Sequence, residues 1–118
     1  DMLAFPAAIR IFLAVRPVDM RKSFNGLSEL AGRHHDSTPG RDSLFVFTNR
    51  RRNRIKILFR DRTGAWMCTK RLEEGTFSWP QPSHDASTKL SLTPEALALL
   101  TDGVDLRGAK LRPWYQRE

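Results

Sequence analysis

The sequence predicts an α+β fold: a mainly antiparallel sheet with a helix packed on one face and a short C-terminal helix. Three observations carry this reading. Short apolar stretches of strand length recur through the first two thirds of the chain. A stretch of helical period stands between the first and second of them. A Thr93-Pro94 pair then opens a second, shorter helical pattern.

The first strand is expected at residues 9–14, where Ile9, Ile11 and Leu13 alternate with Arg10, Phe12 and Ala14. Pro6 and Pro17 flank it, outside any ladder that they would break. The period then lengthens. Met20, Phe24, Leu27, Leu30 and Ala31 recur at helical spacing, so a helix is expected from Met20 to about Arg33, with Asp19 as its N-cap. Gly26 weakens that helix by up to ~1 kcal/mol relative to alanine, which suggests close packing there. Residues 36–40 read as a loop.

Ser43 to Thr48 is expected as a strand near the middle of the sheet, because Leu44-Phe45-Val46-Phe47 is almost continuously apolar. Arg54 to Arg60 follows, with Ile55, Ile57 and Phe59 on one face and Lys56, Leu58 and Arg60 on the other. Asp61-Arg62-Thr63-Gly64 reads as a turn, with Gly64 free to take a positive φ. Ala65 to Leu72 is the next strand; Trp66, Cys68 and Lys70 share one face, Met67, Thr69 and Arg71 the other. Phe45, Phe47 and Trp66 are expected near strand edges able to pair between chains, giving a monomer or weak dimer. Thr76 to Trp79 is a short extended piece whose Phe77 and Trp79 are expected in the core.

Pro80 and Pro82 end the compact pattern, so the chain divides into a compact α+β core at 5–80 and a linker, short helix and tail at 81–118. Thr93 caps the second helix, Pro94 takes its first position, Ala96, Leu97, Leu99 and Leu100 form its apolar face, and it ends near Gly103. The stretch from Arg107 onward has no clear period, though Trp114 and Tyr115 suit docking onto the core. The first strand and helix suit a right-handed crossover into the second strand.

Lysine and arginine number 20 against 13 acids, a formal charge of +7 that favours anionic partners and above all nucleic acid. No apolar run approaches the length needed to cross a bilayer, and no secretory leader is visible, so a cytoplasmic location without a membrane partner is expected. The single Cys68 agrees with a reducing compartment.

The sharpest feature is Asn49-Arg50-Arg51-Arg52-Asn53-Arg54, a turn crowded with arginines between two strong strands, followed by Lys56. Guanidinium groups make paired hydrogen bonds to phosphate oxygens, so this turn is a candidate backbone contact for DNA or RNA. The alternatives are a solvated hairpin loop or a contact for an acidic protein. Arg21 and Lys22 are expected in the first helical turn, where the helix dipole disfavours cations but a bound phosphate gains from N–H groups and side chains together. Lys70 and Arg71 complete the set of candidate nucleic-acid contacts, although beside Glu73 and Glu74 they also suit salt bridges and turn formation.

Signs of catalysis are lacking. There is no glycine-rich phosphate loop with its lysine, and no Cys or His set with zinc spacing; His34 and His35 are adjacent and face apart, and His84 stands alone. Asp19, Asp61, Glu73 and Glu74 carry no metal-loop signature. No catalytic residue, metal or cofactor is expected.

Several short motifs in order resemble a known family. Asp19-Met20-Arg21-Lys22-Ser23-Phe24-Asn25-Gly26-Leu27 is similar to the early signature of the TnpB-type second open reading frame product of the IS66 group of bacterial insertion sequences. The likeness continues through Leu44-Phe45-Val46-Phe47, Asn49-Arg50-Arg51, Arg54-Ile55-Lys56-Ile57-Leu58 and Gly64, then Lys70-Arg71-Leu72-Glu73-Glu74-Gly75, Phe77 and Trp79-Pro80. It covers about residues 5–80, and Leu92 to Asp105 is similar to the family's looser C-terminal part. The resemblance implies a small accessory protein encoded beside a separate transposase, not an RNA-guided nuclease. Cys68 stands where an aromatic or larger apolar residue is expected. The leading expectation is a non-catalytic transposition accessory protein contacting DNA, or a transposase–DNA complex, through its basic surface. The alternatives are a protein-binding adaptor for the transposase and, more distantly, a metal-dependent nuclease.

Overall fold

A computed structural model describes residues 9–34, 43–80, 89–103 and 115–117. The described elements are β1 (Arg10–Ala14), α1 (Phe24–His34), β2 (Ser43–Thr48), β3 (Arg54–Arg60), β4 (Ala65–Arg71), β5 (Lys89–Leu92), α2 (Pro94–Thr101) and β6 (Tyr115–Arg117). The expected loop at 36–40, His35, His84, Trp114 and the expected linker at 83–89 except for Lys89, which begins β5, lie outside the described residues.

The six strands form one sheet in the order β4-β3-β2-β1-β5-β6. β1 and β2 are parallel, joined by the crossover that carries α1. Every other neighbouring pair is antiparallel. The fold is therefore α+β with a mixed, mostly antiparallel sheet.

Strand alternation divides the core into two layers. On one face Phe12, Phe45, Phe47 and Leu58 pack with Leu27 and Ala31 of α1. On the other, Ile11, Leu13, Leu44, Val46, Ile55 and Phe59 pack with Leu90 and Leu92 of β5, Ala96, Leu97 and Leu100 of α2, and Phe77 and Trp79. Phe77 and Trp79 are buried, as expected, and the Trp79 indole N–H donates to the Ala14 carbonyl at 3.0 Å. Phe45 and Phe47 are also buried, in the central β2, and so cannot form strand edges; continuous apolar character marks an interior strand.

Besides shifts of one residue at strand ends, three features differ from the sequence reading. α1 begins at Phe24, not Met20. The Asp19 carboxylate accepts from the Arg21 backbone N–H at 2.9 Å, and Lys22 N–H donates to the Asp19 carbonyl, which closes a turn ahead of the helix. Aspartate offers the backbone this local alternative, and cations at Arg21 and Lys22 gain nothing from a helix N-terminus. Second, the described residues 89–103 belong to the sheet and its core rather than to a separate tail. β5 pairs with β1 and α2 shares its core; a four-residue strand, Lys89-Leu90-Ser91-Leu92, is too short to show a period. Third, Gly64 does not take a positive φ. Among the described residues Arg52, Gly75 and Gly103 do so. The second helix starts as read: Thr93 Oγ1 accepts from Ala96 N–H at 3.0 Å, with Pro94 in the first turn.

Candidate nucleic-acid interface

Strand directions decide where the predicted cations meet. β1 and β2 run together, β3 runs against β2, and β4 runs against β3. The C-terminal ends of β1, β2 and β4 and the start of β3 therefore share one end of the sheet. The β1–α1 connection carries Arg16, Arg21 and Lys22 away from that end. The β2–β3 turn holds Arg50, Arg51 and Arg52 there, Arg54 begins β3, and Lys70 and Arg71 finish β4. Val18 N–H donates to the Thr48 carbonyl at 2.9 Å, which ties the first connection to the end of β2.

The arginine turn is built on two asparagines. Asn49 Oδ1 accepts from the backbone N–H groups of Asn53 and Arg54, each at 3.1 Å. Asn49 Nδ2 donates to Asn53 Oδ1 at 2.7 Å. Thr48 Oγ1 donates to the Arg54 carbonyl, and Arg52 N–H to the Asn49 carbonyl. With the turn's polar groups satisfied internally, the side chains of Arg50 and Arg51 stand exposed. The turn is also clamped from behind: Leu72 N–H donates to the Asn53 carbonyl and Phe77 N–H to the Arg52 carbonyl. Arg52 sits at φ 58°, a left-handed conformation that costs an arginine roughly 1–2 kcal/mol.

Arg54 and Arg71 are direct cross-strand partners and both are exposed. Like charges directly opposite one another destabilise a sheet. Their opposition contributes nothing to folding, and an anion placed over the pair relieves it.

The other predicted cations are used differently. Lys56 is buried, and its ammonium donates to the Met20 carbonyl and, at 3.1 Å, to the Lys22 carbonyl. It fastens the segment before α1 onto β3, and its burial sets it apart from the exposed cations expected to meet nucleic acid. An isolated lysine in a strand gave no sign of this in the sequence. Lys70 faces the α2 side of the sheet and donates to the Thr101 carbonyl at 2.7 Å, at the end of α2 where a cation complements the helix dipole. Arg21 is highly exposed and forked onto the Asp19 carboxylate; that guanidinium, followed by the Arg21 backbone N–H, holds Asp19 at about 2. Lys22 is exposed. The two residues thus stand in a turn ahead of α1 rather than at its N-terminus.

The sequence reading missed Arg60, whose guanidinium lies 4.8 Å from the centre of the Phe24 ring. It also missed Asn49 and Asn53 as the frame of the turn, although asparagine at turn positions was a usable signal. Among the described residues, no group of three or more His, Cys, Asp or Glu side chains is placed to hold a metal ion. Among them, too, no helix is long and apolar enough to cross a membrane.

The fold and its cation-rich sheet end define a small basic α+β protein without a catalytic constellation among the described residues. The chain belongs to the family described as IS66 Orf2 like protein, whose match spans residues 9–111. It is 35% identical over 112 residues to the uncharacterized protein y4jC of Sinorhizobium fredii, covering 95% of this chain and 93% of that one. It is 31% identical over 106 residues to the uncharacterized protein y4hO of the same organism, covering 90% of each. No solved structure matches the chain.

Proposed function

We propose that this chain is a non-catalytic accessory protein of insertion-sequence transposition that contacts DNA, or a transposase–DNA complex, through the cations at one end of its sheet. The observation that carries the reading is the Asn49–Asn53 frame, which leaves Arg50 and Arg51 exposed, with Arg52 half-buried between them and the opposed pair Arg54 and Arg71. None of these arginines is needed to satisfy the turn. Their guanidinium planes suit bidentate contact with phosphate oxygens, which fixes a protein on a duplex without reading its sequence. Family membership supplies the setting in which a bacterial mobile element provides the DNA and its transposase.

The test uses unrelated fluorescent duplexes and a variant carrying Arg51→Ala, Arg52→Gly and Arg54→Ala. Glycine at 52 accepts the left-handed backbone, so the turn keeps its shape. The expected result is binding of each duplex by the parent protein and a loss of at least about tenfold in the variant. Equal affinities would contradict the phosphate contact. An absence of affinity for naked DNA, with transposase capture lost in the variant, would move the same surface to the protein-adaptor reading.

A further inference from the structure

β4 is the outermost strand on its side of the sheet, and one of its edges has no partner among the described residues. It is seven residues long, contains no proline, and is exposed throughout except at the half-buried Cys68. Such an edge is a template for another strand. It also carries the two large apolar side chains that stand exposed among the described residues, Trp66 at 42% and Met67 at 40%. The two point to opposite faces of the sheet, so a helix laid on one face covers only one of them. A strand added at the edge flanks both.

We propose that this edge pairs with the same edge of a second copy of the chain, antiparallel about a two-fold axis at Cys68. The strand's own sequence selects that occupant. Antiparallel pairing centred on Cys68 is the register that engages all seven residues. It sets Lys70, whose ammonium rests on the Thr101 carbonyl, opposite the partner's Trp66, so that its aliphatic stem lies beside the indole. It sets Arg71 opposite the partner's Ala65, and Met67 opposite the partner's Thr69. No two like charges face each other, whereas parallel in-register pairing would stack Lys70 on Lys70 and Arg71 on Arg71.

The N-terminal end of β4 is prepared for an incoming cation. Asp61 accepts from the Thr63 and Gly64 backbone N–H groups and from the Trp66 indole N–H, and these donors are neutral. Its charge is therefore left to attract Arg71 arriving from the partner. Trp66 is held in place by that bond, at 2.6 Å, and by stacking on Phe59 with ring centres 5.9 Å apart, so pairing orders little that is not already ordered. The interface is isologous and at the small end of the size range, so the dimer dissociates on dilution. Both Arg54–Arg71 pairs then lie on one face of a continuous sheet, their Arg71 residues roughly 20 Å apart along the strand direction. The pairing stands whether or not that face contacts DNA.

Sedimentation equilibrium at rising protein concentration tests the proposal. The parent protein should move from 13.6 kDa toward twice that mass. Met67→Lys with Thr69→Lys opposes lysine to lysine in this register and should stay monomeric. Met67→Lys with Thr69→Glu opposes lysine to glutamate and should recover the dimer. Circular dichroism confirms that each variant is folded. A parent protein monomeric at every concentration overturns the proposal, and so does a folded Lys/Glu variant that fails to associate or a Lys/Lys variant that still does.

Discussion

Arg54 and Lys56 lie two residues apart on one face of β3, and their charges have opposite fates. Arg54 ends in solvent opposite Arg71, while Lys56 is drawn under the segment before α1 by two carbonyls. Sequence spacing places both on one face but does not reveal which one the segment before α1 covers. Asp61 shows the same dependence on local geometry. The Trp66 indole N–H, then the Thr63 and Gly64 backbone N–H groups, hold its carboxyl at about 2, below the ordinary 3.8. A depressed carboxylate contributes stability that is fully present above its ordinary value and is lost as pH falls through about 2. The Trp66 indole resonance, followed by NMR through the acid range, should therefore shift with a midpoint near 2. A midpoint near 3.8 would show that the indole–carboxylate bond is not formed in solution.

At the scale of elements, the C-terminal third carries a second prediction. Leu100 of α2 is fully buried in the core layer that contains Leu13 of β1. Leu100→Ala should cost about 2–5 kcal/mol of unfolding free energy, in the same range as Leu13→Ala, in a single denaturant transition. A loss well under about 1 kcal/mol would place α2 outside the cooperative core. Most elements were legible beforehand. The central β2 showed as a continuous apolar run, β3 as clean alternation, and α2 by its Thr93 cap and Pro94. β5 was not, because four residues hold too few positions to define a period, and its place beside β1 is a long-range pairing. The start of α1 was misplaced because Met20 fits the helical period yet serves another end: it packs beside α1 from the turn that Asp19 closes.

For the whole molecule, topology does what composition could not. A charge of +7 says only that anions are favoured partners. The parallel β1–β2 pair and the two hairpins that follow return the arginine turn, Arg54 and Arg71 to one end of the sheet. The arginine turn itself was plain in the sequence; its neighbours in space were not, because β4 meets β3 only after a hairpin whose register fixes Arg71 against Arg54. Exposed charges of this kind contribute little to stability, so their removal should leave the fold intact while changing what the surface attracts.

The most direct test of the central claim is the salt dependence of duplex binding. Phosphate contacts release condensed counterions, so the logarithm of affinity should fall linearly with the logarithm of salt concentration. The variant with Arg51→Ala, Arg52→Gly and Arg54→Ala should bind more weakly and with a flatter line, by roughly one unit of slope for each phosphate no longer neutralised. Parallel lines for parent and variant, with unchanged affinity, would contradict the claim that this end of the sheet meets the DNA backbone.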